Sequence, residues 1–276
     1  MRIDAHQHFW KYSPAEYGWI NDEMAALKRD FLPEDLKPLL AASGFDGSIA
    51  VQACHTIEET QWLLSLADKS QFIKGVVGWV DLCSADLPAQ LDRLANHPRL
   101  VGVRHVMQAE PDDEFMLRDD FQRGIACLAG CGLTYDLLLF PRHLPVAVKL
   151  VQQFPQQRFV LDHIAKPGIA DGLIEPWARD IRELAKHENV CCKLSGMVTE
   201  ARWKHWKRED FRPYLDVILE TFGPQRLMIG SDWPVCSLSA TYAETIAIVD
   251  DYIRQLAPGQ EEQILGGNCA SFYGVQ

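Results

Sequence analysis

Two short stretches at opposite ends of the chain carry side chains that suit metal binding or acid–base chemistry. His6 and His8 are separated by one residue, and Asp232 lies just after the apolar run Leu227–Gly230. In an extended strand alternate side chains point to the same face, so His6 and His8 project together. An apolar run that stops near an aspartate places that carboxylate at the end of a strand. We therefore expect the two imidazoles and the carboxylate to share a common centre.

These three side chains have the composition of a zinc site. Neutral imidazole and carboxylate groups are good Zn²⁺ ligands, and a catalytic zinc site uses about three protein ligands plus a water molecule. His6, His8 and Asp232 supply that number. A fold that contains both ends of the chain in one closed sheet is needed to bring them together.

The spacing of apolar runs predicts such a fold. Eight β-rich runs occur at about residues 3–8, 48–53, 73–80, 100–106, 132–139, 158–164, 189–195 and 226–232. The stretches between them have helical periodicity, and strand–helix alternation is typical of parallel βαβ units. A single (β/α)8 barrel over residues 1–276 is predicted, because this fold needs about 250 residues and makes its first and last strands neighbours. A Rossmann-like sheet is the alternative, but no Gly-rich phosphate-binding motif follows the first run.

Polar residues follow nearly every predicted strand, where a barrel places its catalytic groups. In chain order they are His6 and His8, Gln52, Trp79 and Asp81, Arg104 and His105, Asp136, Asp162, His163 and Lys166, Lys193 and Ser195, and Asp232. Asp162 alternates with His163, so we expect its side chain to face the surrounding helices. Lys166 and Arg142, just beyond strand ends, are candidates for binding hydroxyl groups.

Three further segments lie around this predicted strand framework. The long connection 9–35 is rich in aromatic residues and is predicted to cover the barrel mouth, because long loops in compact domains tend to be functional lids. Residues 197–212, which contain two tryptophans, are expected to shape the pocket from the opposite side. The stretch Ile264–Tyr273 is predicted to form a closing helix with a structural role.

Composition limits the possible partners. The formal net charge is −11 and the pI is near 5.3, which opposes nucleic-acid binding because such binding depends on Lys and Arg. No apolar run approaches the roughly 20 residues that cross a bilayer, and no apolar N-terminal signal is present. The eight cysteines form no CxxC-type framework. We expect a cytoplasmic protein with reduced thiols, a small-molecule substrate, and a monomeric or homodimeric state.

The motifs taken together resemble the amidohydrolase superfamily, and specifically the sugar-lactone hydrolases of its amidohydrolase-2 branch, of the L-fuconolactonase and L-rhamnonolactonase type. The matching pieces extend over essentially the full length in the expected order. They are Asp4-Ala5-His6-Gln7-His8-Phe9-Trp10, Val51-Gln52-Ala53, Gly78-Trp79-Val80-Asp81-Leu82, Gly102-Val103-Arg104-His105, Tyr135-Asp136-Leu137-Leu138, Asp162-His163-Ile164-Ala165-Lys166-Pro167, Lys193-Leu194-Ser195-Gly196 and Gly230-Ser231-Asp232-Trp233-Pro234.

The resemblance implies a barrel that hydrolyses a cyclic ester, with Asp232 as the base that activates water. His6 and His8 then lie beside the lactone carbonyl, and Arg104 and His163 contact developing charge. The residues expected to contact the substrate are Gln52, Trp79, Asp136, Lys193 and Trp233. This assignment is chemically coherent, because water needs a base, the tetrahedral oxyanion needs donors, and the leaving alkoxide needs a proton.

The resemblance also bears on the metal. Binuclear relatives bridge two ions with a carbamylated Lys or a Glu from strand five, whereas this strand supplies Asp136. One zinc ion at most is therefore expected, weakly held and not strictly required. The predicted substrate is a neutral sugar 1,4- or 1,5-lactone, with an L-fuconolactone-like compound favoured. The alternatives are a metal-dependent decarboxylase of the same branch and a non-catalytic sugar-binding barrel.

Overall fold

The computed structural model describes all 276 residues, Met1–Gln276. Eight parallel strands form one sheet in which each strand pairs with the next along the chain. They are β1 Ile3–Gln7, β2 Gly47–Val51, β3 Ile73–Gly78, β4 Leu100–Val106, β5 Thr134–Leu138, β6 Phe159–Leu161, β7 Val190–Leu194 and β8 Leu227–Ile229. Each predicted run overlaps one strand, which confirms the barrel and excludes the Rossmann-like alternative. β6 and β8 have only three residues each, fewer than predicted.

Helices fill the intervals between the strands. They are α1 Pro33–Ala42, α2 Ile57–Lys69, α3 Leu87–Leu94, α4 Asp119–Gly130, α5 Leu144–Gln153, α6 Trp177–Ala185, α7 Met197–Glu200, α8 Arg208–Phe222, α9 Tyr242–Leu256 and α10 Asn268–Tyr273. α9 shows how the sequence specifies them: Thr241 accepts a hydrogen bond from the amide of Glu244, and Ile246, Val249 and Ile253 are buried on one face. None of the helices combines the length and apolar character that crossing a membrane requires.

The seam between β1 and β8 closes the barrel without a continuous ladder of hydrogen bonds. The amide of His8 donates to the carbonyl of Trp233 at 2.7 Å, and the amide of Asp232 donates to the carbonyl of His6 at 2.8 Å. Both bonds involve the residues that follow β8 rather than β8 itself. The two ends of the chain are thus joined at the position where the predicted site residues lie.

A buried carboxylate strengthens this seam. Asp4 accepts hydrogen bonds from the amides of His6 and Ser231 at 3.1 and 2.9 Å. It also accepts from the hydroxyls of Ser231 and Tyr242 at 2.6 and 3.1 Å. Burial raises the pKa of Asp4 to about 6, although all four donors favour its ionised form. Asp4 therefore ties the first strand to the segment that carries Asp232.

The C-terminal segment closes the opposite end of the barrel. Phe272 and Tyr273 of α10 pack with Ile3 and Met228 in a cluster of buried apolar residues inside the strands. The predicted closing helix is interrupted: residues 263–267 form a π-type turn and the α-helix begins only at Asn268. This packing covers the N-terminal end of the barrel.

Candidate active site

A pocket of about 470 Å³ opens at the C-terminal ends of the strands, within the usual range for small-molecule sites. Sixteen residues line it: His8, Glu16, Trp19, Ala53, Cys54, His55, Arg104, Val106, Gln108, Ala109, Leu138, Phe140, His163, Lys166, Asp232 and Val235. Four of the five predicted catalytic residues are in this set. The fifth, His6, is fully buried and contacts the others from below.

Asp232 is surrounded by three imidazoles. Its Oδ1 atom lies 3.3 Å from Nε2 of His8, 3.8 Å from Nε2 of His163 and 3.9 Å from Nε2 of His6. Burial alone would raise the pKa of Asp232, but His163, the contact with His8 and the charge of Lys166 together hold it below its usual value. The carboxylate is therefore ionised near neutral pH and available as a proton acceptor.

The imidazoles have defined hydrogen-bonding roles. Nδ1 of His8 lies 2.7 Å from the carbonyl oxygen of Val51, which can only accept, so Nδ1 carries the proton and Nε2 faces Asp232. Nδ1 of His163 lies 2.9 Å from Oγ of Ser195. Burial lowers the pKa values of His6 and His163 well below the usual range.

A glycine makes room for His163. Gly196 has φ +65°, and a Cβ atom there would lie 2.5 Å from Nδ1 of His163. A left-handed conformation and so close an approach both favour glycine. The Lys193–Gly196 motif therefore contributes backbone space to the site as well as the hydroxyl of Ser195.

A network of buried charges supports the pocket from beneath. Arg104 donates to Oδ2 of Asp162 at 3.0 Å and to Oε1 of Gln52 at 2.9 Å. Lys193 Nζ lies 2.5 Å from Oδ2 of Asp136 and 2.9 Å from Oδ1 of Asp162. Burial would raise the pKa of Asp162, but Lys193, His6 and Arg104 hold it well below its usual value. Arg104 is thus fixed in place by fully buried partners.

The placement of Asp162 contradicts the sequence-based expectation. Its carboxylate points into the buried network rather than towards the helices, with no exposed surface. The reason is that β6 ends at Leu161 and the residues His163–Lys166 adopt left-handed backbone conformations, with φ between 48° and 60°. Alternation of side chains holds only along an extended strand.

Three predicted substrate contacts lie below the pocket. Gln52, Asp136 and Lys193 are fully buried and absent from its lining. Gln52 contacts Arg104, and Asp136 accepts a 2.8 Å hydrogen bond from the hydroxyl of Tyr273. Their positions support a role in holding the other residues rather than direct contact with a substrate.

The two predicted stacking tryptophans also lie outside the pocket wall. Trp233 is 5% exposed, and its ring packs edge-on against Phe9 and Phe31 at 6.1 and 5.3 Å. Trp79 is half-buried and stacks on His55 at 5.6 Å. Neither position supports stacking on a ligand. The tryptophan that does line the pocket is Trp19, from the aromatic first connection; its side chain is 42% exposed.

The second long segment is not a continuous loop. Residues 197–200 form α7, and α8 begins at Arg208. None of its residues lines the pocket, so it does not form the expected opposite wall, although Glu200 lies 3.6 Å from the pocket residue Lys166. Trp203 and Trp206 instead donate to the carbonyls of Thr199 and Ser239.

His55 is a pocket residue that sequence reasoning missed. It follows β2 three positions after Gln52, and its Nε2 accepts a 2.9 Å hydrogen bond from the amide of Val106. Burial lowers its pKa to about 3, with His105 and Arg104 adding to the effect. In the sequence, the only feature that pointed to His55 was its position just after a strand, and many loop residues share that feature. Arg142, by contrast, pairs with Asp113 on the surface.

The geometry of His6, His8 and Asp232 fits a metal ion. The Nε2 atoms of His6 and His8 lie 3.2 Å apart. Oδ1 of Asp232 lies 3.3 Å from Nε2 of His8 and 3.9 Å from Nε2 of His6. Around a tetrahedral zinc ion with bonds of about 2.0–2.1 Å, neighbouring ligand atoms stand roughly 3.3–3.4 Å apart. However, Nη1 of Arg104 lies 3.2 Å from the same Nε2 of His6. A permanent cation therefore already faces one of the three ligands.

A parallel barrel that gathers histidines, an arginine and an aspartate at the C-terminal ends of its strands is an enzyme scaffold with an acid–base site. The amidohydrolase family model matches residues 3–275, and the chain belongs to this family. It is 40% identical over 279 residues to an L-fucono-1,5-lactonase of Burkholderia ambifaria, covering all of this chain and 96% of the relative. A second L-fucono-1,5-lactonase, from Burkholderia multivorans, is 41% identical over 286 residues with the same coverage.

A solved structure extends this similarity to the fold. An amidohydrolase from Burkholderia multivorans, crystallised with bound zinc, is 41% identical and superposes with a TM-score of 0.96. The comparison covers the whole of both chains. In this chain, His6, His8 and Asp232 form a buried group that could hold a metal ion.

Proposed function

We propose that this enzyme hydrolyses a sugar lactone to the aldonic acid, with L-fucono-1,5-lactone as the favoured substrate and Asp232 as the base. The observation that carries the proposal is the position of the Asp232 side chain on the pocket floor, with three imidazoles within 3.9 Å of its Oδ1. Two full-length relatives at 40 and 41% identity that are named for this activity support the choice of substrate.

In the proposed reaction, Asp232 accepts a proton from water, and the water oxygen bonds to the lactone carbonyl carbon. Arg104 and His163 line the pocket, and either can donate a hydrogen bond to the oxyanion that forms. The ring C–O bond then breaks, and the proton held by Asp232 passes to the leaving ring oxygen. Asp232 is ionised again at the end of the cycle.

The buried residues act by positioning in this proposal. Gln52 and Asp162 hold the Arg104 guanidinium through its Nε and Nη1 atoms. Lys193 links Asp162 to Asp136 through contacts of 2.9 and 2.5 Å. Because a misplaced catalytic group costs much of its rate contribution, these contacts preserve the orientation on which the oxyanion donors depend.

His6, His8 and Asp232 would hold a zinc ion if one binds. Such an ion polarises a carbonyl or lowers the pKa of bound water. We propose weak binding, because Asp232 also serves as the base and Arg104 faces His6 at 3.2 Å. The cation that Arg104 supplies at this position supports turnover without metal.

A pH-indicator screen of purified protein against neutral aldonolactones tests the function. Asp232→Asn keeps the shape of the side chain but cannot accept the proton, so we expect a loss of roughly 10²-fold or more. Asp113→Asn, at an exposed residue paired with Arg142, is the matched control and should retain the rate. A near wild-type rate for Asp232→Asn would show that the base is misassigned.

The same screen separates the two alternatives. A decarboxylase would release CO₂ from a carboxylated substrate instead of producing acid from a lactone. A non-catalytic sugar-binding barrel would bind lactones saturably without turnover. Acid release that requires Asp232 supports the lactonase against both.

A further inference from the structure

A left-handed turn follows β6 at the edge of the pocket. His163, Ile164, Ala165 and Lys166 have φ values of 54°, 48°, 60° and 50°. Crowding between Cβ and the backbone disfavours this conformation for residues other than glycine, and four in succession is unusual. Surrounding contacts hold the turn: the amide of Lys166 donates to the carbonyl of His163 at 2.8 Å, and the indole of Trp177 donates to the carbonyl of Ile164 at 2.7 Å.

The turn places its first and last residues in the pocket. His163 and Lys166 both line it, whereas Ile164 and Ala165 are fully buried in the core. Backbone strain of this kind persists where the surroundings over-determine it, and it clusters at binding and catalytic sites. The strained backbone thus brings an ammonium group to the same pocket as Asp232.

The ammonium group of Lys166 is only loosely engaged. Its Nζ lies 3.6 Å from Oε1 of Glu200, which is long for a hydrogen bond. Both side chains are partly exposed, at 18 and 23%. Lys166 and Arg104 are the two cations of the pocket lining. Nε and Nη1 of Arg104 already donate to Gln52 and Asp162, whereas Lys166 has only the long contact to Glu200. Lys166 therefore has donors available for a ligand.

We propose that Lys166 binds the carboxylate of an aldonate, the product of the proposed lactonase reaction on which this inference rests. A sugar lactone is neutral, but its hydrolysis adds water across the ring C–O bond and the acid formed loses a proton to solvent. A carboxylate is then left in a pocket that is already lined by the carboxyl group of Asp232. The ammonium group of Lys166 offsets the repulsion between the two anions. When no anion is bound, the ion-pair partner of the ammonium group is Glu200, at 3.6 Å.

Calorimetric titration with L-fuconate and with L-fucitol tests this site. The two ligands have the same polyol chain, but only L-fuconate carries a carboxylate. Lys166→Met should weaken L-fuconate binding by about tenfold or more, the effect of losing a charge-assisted contact, with little change for L-fucitol. Lys166→Arg should retain the preference for the anion, and Glu200→Gln should strengthen L-fuconate binding by freeing the ammonium group.

The results separate this inference from the proposed function. If Lys166→Met binds L-fuconate as the wild type does, or loses both ligands equally, the carboxylate site is refuted even if lactones are hydrolysed. If binding of L-fuconate depends on Lys166 but no lactone is hydrolysed, the anion site stands and the lactonase proposal fails. Lys166→Asn, a residue type that tolerates left-handed backbone, provides the same charge removal if Lys166→Met folds poorly.

Discussion

The carboxylate of Asp4 is the side chain through which the barrel seam can be tested. It accepts four hydrogen bonds at 2.6 to 3.1 Å, from the amides of His6 and Ser231 and from the hydroxyls of Ser231 and Tyr242. β1 and β8 share no continuous ladder, so these bonds add to the two backbone hydrogen bonds that join the chain ends. Asp4→Ala leaves all four donors without their acceptor.

The expected cost follows from these contacts. A hydrogen bond to a charged group contributes about 1.5–3 kcal/mol, and an unsatisfied buried donor costs about 1–3 kcal/mol. Burial offsets part of this gain, as the rise of the Asp4 pKa to about 6 indicates. We therefore expect Asp4→Ala to lower the free energy of unfolding by about 3–5 kcal/mol, because four buried donors lose their acceptor at once.

The same variant should impair catalysis. Ser231 directly precedes Asp232, whose left-handed backbone (φ 57°) needs its surroundings to hold it. A displacement of about 1 Å at a catalytic group can cost roughly 10²-fold in rate. We expect kcat of Asp4→Ala for the best lactone to fall at least tenfold under conditions where the protein is folded.

Urea unfolding and steady-state kinetics measure both effects. Ser231→Ala and Tyr242→Phe each remove one hydroxyl donor to Asp4 and should cost about 1 kcal/mol. Asp46→Ala is the control, because Asp46 is an exposed carboxylate that accepts a 2.8 Å bond from the amide of Arg2. An Asp4→Ala protein as stable as Asp46→Ala, with unchanged kcat, would refute the role assigned to the seam.

Three further predictions concern Glu59, Trp233 and the metal. Burial raises the pKa of Glu59 from 4.5 to about 7, so its contribution to stability is present below about pH 4.5 and is lost as pH rises through 7. In urea unfolding at different pH values, Glu59→Gln should remove about 3 kcal/mol of this fall in the free energy of unfolding. Glu58→Gln, at the exposed neighbouring residue, should not change it. Trp233→Ala should lower the free energy of unfolding by about 3–5 kcal/mol and leave KM of the folded protein nearly unchanged; a large rise in KM without destabilisation would restore the stacking role. Dialysis against a chelator should reduce lactone turnover only partly, with zinc below one equivalent by elemental analysis; stoichiometric zinc whose removal abolishes activity and whose return restores it would contradict the weak-binding proposal.

Local pattern was enough to predict the barrel and the residues of its floor. Alternation in the first run placed His6 and His8 on one face, and the end of the last apolar run placed Asp232 at a strand terminus. Because parallel strands of a barrel all end at the same face, the eight-run spacing implied that these residues meet. Arg104 and His163 followed from the same rule, and the structure places all five together.

Other features depended on contacts that no local pattern encodes. The left-handed turn after β6 turned Asp162 inward and brought Lys166 towards Glu200, because packing by Trp177 and Gly196 stabilises a backbone that the residues themselves disfavour. The burial of Trp233 and the entry of His55 into the pocket likewise depend on how distant loops pack. The alternation of side chains and the spacing of the apolar runs predict which residues lie at the strand ends that face the pocket. The direction of a side chain beyond the end of a strand is set by neighbours far away in the sequence.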